Sequence, residues 1–150
     1  MGRTEAGEVF TSCVVEVARL GHLVTAAGEA LARHGGQTLA RWVVLDAVAG
    51  TPLTVADIGR ARGMARQPVQ RVADLLVEDG LAVFKDNPRH RRAKLLTLTA
   101  RGRRILDAIN AEQAIWANAH GAKLGIATLE QARELASQLR SVIDMPAIEP

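Results

Sequence analysis

A run of basic side chains in the second half of the chain is suited to binding a polyanion. Between Lys85 and Lys94 the sequence carries five Lys or Arg residues and one His. Asn87 and Pro88 predict a turn near the middle of this run. A projecting loop with Arg near its end suits the narrow, electronegative minor groove of double-stranded DNA. The residues expected to contact DNA from this loop are Lys85, Arg89, His90, Arg91, Arg92 and Lys94.

A second polar set lies upstream, on one face of a helix predicted over about residues 66–79. Apolar residues recur with helical spacing from Val69 to Leu76, and the opposite face is polar and cationic. Glutamine suits the N6/N7 edge of adenine, arginine suits the O6/N7 edge of guanine, and an arginine at a helix start can meet phosphate. The residues expected to contact DNA from this helix are Arg66, Gln67, Gln70 and Arg71.

The surrounding signals predict elements that hold these two sets together. Thr54, with Asp57 three residues later, begins a short helix that Gly63 ends. Pro68 is tolerated only in a first turn, so the next helix starts near Ala65 or Arg66. Segments 81–85 and 94–98 are predicted strands around the basic loop. Two short helices joined by a tight turn and followed by a hairpin describe a winged helix-turn-helix.

Long amphipathic helices flank this unit, over about residues 6–33, from Thr99 to about Gly121, and from a Thr128 cap to about Ile143. Their apolar stripes have no obvious partner within one subunit, which predicts a homodimer. The dimerisation residues are expected to include Phe10, Val14, Leu129, Leu135 and Leu139. The predicted fold is mainly α with a small β-hairpin wing: one subunit over 1–150, a DNA-binding lobe over 38–98, and dimerisation helices over 5–34 and 99–145.

Composition narrows the functional class. Hydrophobic residues make up 48% of the chain and charged residues 23%, as in folded soluble proteins. Aromatic residues make up 3%, which argues against base stacking on single strands. The chain has a single Cys, its His residues do not show the helical spacing of a metal-binding pair, and it contains no catalytic motif. We therefore expect no cofactor, no metal site and no enzymatic activity. With no run of roughly 18 uninterrupted apolar residues and an acidic N-terminus, we expect a cytoplasmic protein without a membrane partner.

The stretch from Leu53 to Leu106 resembles the winged helix of the MarR family of bacterial transcriptional regulators. The residues that carry the resemblance are Leu53-Thr54, Leu76, Gly80-Leu81, Arg92, Leu98-Thr99 and Gly102. Two positions depart from the family pattern: His90 replaces an acid in the wing, and Pro68 stands where a hydroxyl residue is frequent. The resemblance implies an obligate homodimer that binds a near-palindromic DNA duplex, and we expect it to act as a repressor, although the sequence does not determine the sign of regulation.

The resemblance also implies a sensor, because many members hold a small aromatic or phenolic effector between the dimer helices and the DNA-binding lobe. His22, Trp42 and Trp116 are the candidate lining residues, although both Trp residues also fit plain core positions. Cys13 lies roughly where peroxide-sensing members keep a thiol, but the chain has no Tyr to activate it. The alternative function is an architectural or protein-interaction winged helix without a ligand.

Overall fold

The computed structural model describes residues 2–90 and 92–144 and is mainly helical with one small antiparallel sheet, which confirms the predicted fold class. The helices are α1 (Glu5–Ala32), α2 (Leu39–Ala47), α3 (Val55–Arg62), α4 (Arg66–Glu78), α5 (Ala100–Leu124) and α6 (Ile126–Ile143). The strands are β1 (Leu53–Thr54), β2 (Ala82–Lys85) and β3 (Leu95–Leu98). Internal contacts divide the chain into two units, Met1–Glu112 and Gln113–Pro150.

The first unit closes an apolar core around α4. Val69, Ala73 and Leu76 project from the predicted inner face of α4 and are fully buried. Because these three positions recur with the helical period, the sequence pattern alone places them on one face. They share the core with residues of the neighbouring elements, including Val44, Leu45, Ile58, Leu81, Leu96 and Leu106.

The sheet has β3 at its centre, paired antiparallel with β1 on one side and β2 on the other. Leu96 lies opposite both Leu53 and Phe84 and is fully buried. Strands β2 and β3 are the predicted hairpin. Strand β1 was not predicted, because two residues after a proline show no alternation and their partner lies far along the chain.

Local capping explains where the helices of the first unit begin and end. The Asp57 backbone N–H donates to Thr54 Oγ1 over 3.1 Å, so Thr54 caps α3 as predicted. Gly63 has a φ of 62°, which ends α3 in a conformation that favours glycine. Ala65 precedes α4 without a side-chain cap, as its residue type predicts.

Gly102 is required by a close approach between α5 and the start of β2. A Cβ at this position would lie 1.9 Å from the Leu81 carbonyl oxygen. Thr99 secures the same junction, since its hydroxyl donates to the Gly80 carbonyl over 2.8 Å and accepts the Gly102 N–H over 3.0 Å. Only glycine therefore lets α5 start this close to the strand.

The predicted start of the last helix is wrong. Helix α5 continues past Gly121 to Leu124, and α6 begins at Ile126, so Thr128 lies inside the helix and does not cap it. The turn occurs at Gly125, whose φ of 79° is accessible to glycine at little cost. The position of that glycine, and not the Thr128 signal, determines where α6 begins.

Helix α1 is apolar along much of its length. With the turn that follows it, the segment Glu5–Gly35 is long and apolar enough to match the length and composition of a membrane-crossing helix. The earlier expectation counted only uninterrupted apolar residues, whereas this segment is interrupted by a few charges. Length and composition do not distinguish a membrane span from a helix that packs against a second subunit, and one such helix is weak evidence for a span.

Candidate nucleic-acid interface

A groove of about 880 Å³ lies between the start of α4 and the loop that joins β2 to β3. We call this loop, residues 86–94, the wing tip. Arg66 and Gln70 line the groove from α4, and the wing tip contributes Arg89, His90, Arg92 and Lys94. The structure thus brings members of both predicted sets onto one surface.

The other predicted DNA-contacting residues lie outside the lining of this groove. Gln67 and Arg71 are exposed on α4, and Lys85 is exposed at the end of β2. Arg91 lies outside the residues that the structure describes. The described part of the predicted set therefore divides into residues that line the groove, two exposed residues on the outer face of α4, and Lys85 at the end of β2.

The wing tip folds back on itself through a turn at Asn87. The Asn87 side-chain oxygen accepts the Arg89 backbone N–H over 3.0 Å, and the Asn87 carbonyl accepts the His90 N–H over 3.2 Å. Ala93 then donates its N–H to the His90 carbonyl over 3.1 Å. The predicted turn is confirmed, and its asparagine orders the backbone that carries the basic side chains.

Several basic residues of the first unit are engaged in structural contacts. Arg41 pairs with Asp79, and Arg62 pairs with Asp46 over 2.6 Å. The Arg101 guanidinium donates to the Asp79 carbonyl over 2.9 Å. Within the described ranges, by contrast, no ion pair is formed by Arg66, Arg71, Lys85, Arg89, Arg92 or Lys94. Positive charge without an ion-pair partner is therefore present both on the groove and on the outer face of α4.

The groove also contains the predicted Thr54 and Asp57 pair, together with Arg60, which the sequence interpretation missed. The Thr54 hydroxyl donates to Asp57 Oδ2 over 2.6 Å, and Arg60 donates to Asp57 Oδ1. The Thr54 hydrogen bond and the neighbouring Arg60 hold the pKa of the Asp57 carboxyl below its ordinary value, although desolvation opposes them. The spacing of three residues between Asp57 and Arg60 on a helix is the signal that could have revealed this pair.

Gln70 has a partner that the sequence interpretation also missed. Its side-chain Nε2 donates to Asp74 Oδ1 over 2.8 Å. The two residues are four apart on α4, a spacing at which helical side chains meet. Gln70 is half-buried and lines the groove, whereas Asp74 is exposed.

The candidate effector residues occupy different settings. Trp42 is half-buried against the core, and its indole N–H donates to Asn110 Oδ1 over 3.2 Å, which fits the core interpretation. His22 is exposed on α1. In the second unit Trp116 is exposed, with its ring centroid 4.6 Å from that of His120. A ligand site at these residues stays a prediction, as does any redox role of the half-buried Cys13.

Among the described residues, no group of three or more His, Cys, Asp or Glu side chains could hold a metal ion.

The predicted dimerisation residues carry much exposed apolar surface in the single chain. Phe10 is 42% exposed on α1, and Leu135 is 59% exposed on α6. Leu129 is also exposed, while Val14 and Leu139 are half-buried. Other large apolar side chains of the same two helices are exposed as well: Val9, Val15, Val17, Leu20, Leu23, Val24, Ile126, Val142 and Ile143.

Comparison with known sequences finds a family and a relative. The sequence model of the MarR family matches residues 30–93, which contain α2, the helix-turn-helix and most of the wing. The uncharacterized protein Rv2011c of Mycobacterium tuberculosis (strain ATCC 25618 / H37Rv) is 39% identical over 137 residues. That match covers 91% of this chain and 94% of the relative.

Comparison with solved structures finds the same fold. The MarR family transcription regulator SP03579 superimposes with a TM-score of 0.80 at 23% identity, covering 91% of both chains. CouR from Rhodococcus jostii RHA1, solved bound to p-coumaroyl-CoA, superimposes with a TM-score of 0.74 at 22% identity. That superposition covers 89% of this chain and 92% of CouR. At these identities the likeness concerns the fold.

Proposed function

The chain belongs to the MarR family of transcription regulators, which are winged-helix proteins that bind DNA, and we propose that it acts as a homodimeric repressor with a specific operator. The observation that carries this proposal is the groove shared by α4 and the wing tip, where unpaired cations of both elements converge. A surface of this kind matches the phosphate backbone of duplex DNA.

In the proposed complex, α4 enters the major groove and the wing tip reaches the adjacent minor groove. Gln67, Gln70 and Arg71 face base edges. Arg66, at the start of α4, meets phosphate. Arg92 is the wing residue closest to the floor of the minor groove, and Lys85, Arg89, His90, Arg91 and Lys94 hold the wing against the backbone.

The proposed homodimer forms through the exposed apolar stripes of α1 and α6. A twofold dimer repeats α4 at a separation of about one DNA turn, so the operator is nearly palindromic. A protein on such a site blocks a promoter that overlaps it, which makes repression the expected mode. A regulator of this kind acts in the cytoplasm, without a membrane partner, a cofactor or catalysis.

A small aromatic or phenolic effector is proposed to release the operator. CouR, which shares the fold, was solved with p-coumaroyl-CoA bound. His22, Trp42 and Trp116 are the residues proposed to contact the effector. Binding to the DNA-free form alone would weaken the operator complex by linkage. A panel of phenolic acids, including salicylate, added to preformed complexes should contain at least one compound that releases the DNA, whereas release by none would leave a ligand-independent repressor.

Selection of bound duplexes from a random pool tests the central proposal. The purified protein should enrich a near-palindrome and bind it at least about 10³-fold more tightly than a scrambled duplex at moderate salt. Arg71→Ala should change the enriched sequence. Arg92→Ala should weaken binding to every duplex, with a shallower salt dependence. Equal affinity for all duplexes would contradict the proposal and leave the architectural alternative.

A further inference from the structure

We propose that Asp74 fixes the orientation of the Gln70 amide, so that Gln70 presents its carbonyl oxygen to DNA and selects adenine or cytosine over guanine or thymine. This inference rests on the proposed sequence-specific binding and deepens it. Asp74 is then a positioning residue, which affects base recognition only through Gln70.

The orientation of the amide follows from the chemistry of its partner. Nε2 of Gln70 lies 2.8 Å from Oδ1 of Asp74. A carboxylate offers only acceptors, so the side of the amide that faces it must be the NH₂ group. The oxygen of the same amide must then point away from Asp74. The opposite assignment of the amide oxygen and nitrogen is not compatible with this contact, because the carboxylate has no N–H or O–H to donate to the amide oxygen.

The free side of the amide consequently has a defined pattern of one acceptor and one remaining N–H. Adenine matches this pattern in the major groove, because its N6 amino group donates to Oε1 and its N7 accepts the N–H. Cytosine matches it in part through its N4 amino group. Guanine offers only the acceptors O6 and N7 there, and thymine offers the acceptor O4, so either base can accept the one remaining N–H but provides no donor for Oε1.

Gln67 provides an internal contrast on the same face of α4. Among the described residues it makes no hydrogen bond through its side chain, so its amide is free to present either end. Arg71 carries donors only and suits guanine. The helix would thus read one position as an amino-bearing base, one as guanine, and one with less discrimination.

The experiment is selection from a random duplex pool with the wild-type protein and the variants Gln70→Ala, Asp74→Asn and Asp74→Glu. Gln70→Ala identifies the base position that Gln70 reads, because enrichment is lost there and retained elsewhere. The wild type should enrich adenine or cytosine at that position by at least about tenfold over guanine. Asp74→Asn should cut this ratio to about twofold or less, because an asparagine can donate as well as accept and no longer orients the amide. Asp74→Glu, which keeps an acceptor-only partner, should retain most of it.

Three results would overturn the inference. The wild type could enrich guanine or thymine at the Gln70 position, Gln70→Ala could leave every position unchanged, or Asp74→Asn could keep the full ratio. In each case a palindrome is still selected, so the proposed regulator stands while the Asp74 inference falls. If the wild type enriches no sequence at all, both proposals fail. Circular dichroism of each variant confirms that α4 is intact, which separates lost orientation from lost folding.

Discussion

The winged-helix lobe, residues 38–98, exposes charged surface, whereas the terminal helices α1 and α6 expose apolar surface. The lobe buries most of its large apolar residues, Leu45, Ile58 and Leu76 among them, and exposes unpaired cations. Helix α6 buries none of its described residues, and α1 buries only three near its end. In one region the excess is charge, and in the other it is apolar area.

The difference indicates two kinds of partner. Unpaired cations that gather on a groove call for a polyanion, and contact with DNA is strong because it releases counterions. The exposed leucine and valine stripes indicate a second apolar surface as partner, since burial of each such side chain contributes about 1.5–3 kcal/mol to the free energy of association. A dimeric regulator that binds DNA requires both a cationic surface for DNA and an apolar surface for its second subunit. The two surfaces can be tested separately.

The largest effect is expected from the apolar stripe of α6. Leu135→Ala removes one exposed leucine per subunit, and a twofold interface loses it twice. The dimer should weaken by about 3–6 kcal/mol, so that its dissociation constant rises more than about 100-fold. Sedimentation over a concentration series measures this change.

Leu75→Ala is the matched control for that variant, because Leu75 is 49% exposed but belongs to α4 of the lobe. The control should leave the dimer intact. If both variants dissociate alike, or neither does, α6 does not supply the interface.

The next largest effect concerns the closed packing of the lobe. Gly102→Ala places a Cβ against the Leu81 carbonyl, and the free energy of unfolding should fall by about 1–3 kcal/mol. At Gly121, on the same helix, an added Cβ would have no neighbour closer than 3.8 Å. Gly121→Ala should therefore raise the free energy of unfolding by about 0.5–1 kcal/mol. Urea unfolding at one protein concentration measures both. A similar response of the two variants would contradict the close approach at Gly102.

A smaller effect is expected from the cations that line the groove. Arg66 lines the groove and forms no ion pair among the described residues, whereas Arg62 pairs with Asp46 and lies outside the groove lining. Arg66→Ala should reduce the magnitude of the slope of log K against log salt concentration for operator binding by about 2 for a homodimer, one unit per copy. Arg62→Ala should leave the slope unchanged.

The smallest effect concerns pH. The pKa of Asp57 is lowered in the folded chain by the Thr54 hydroxyl and by Arg60. A lowered folded pKa means that the stability it contributes is present above the ordinary pKa and is lost as pH falls through the folded value. The difference in Tm between the wild type and Asp57→Asn should therefore be constant above about pH 5 and shrink as the pH falls below the ordinary aspartate value of about 3.9.

Much of the lobe could be predicted because its signals are local. The helical period of Val69, Ala73 and Leu76, the Thr54 cap and the Asn87 turn each act within a few residues. The start of α6 could not be predicted in the same way. Thr128 carries a good capping signal, but the backbone had already turned at Gly125, and an i to i+3 pattern inside a helix looks the same as one at its end.

The sequence by itself determined the class of the protein, since periodicity, capping and the family motifs are written in neighbouring residues. It also determined which side chains are cationic and which helices are apolar. Only the tertiary structure decided which of those cations are free. Arg41 and Arg62 form ion pairs with Asp79 and Asp46, respectively. Arg66, Arg89 and Arg92 instead line one groove. Ion pairing and the meeting of α4 with the wing depend on distances between residues far apart in the chain, which no local pattern encodes.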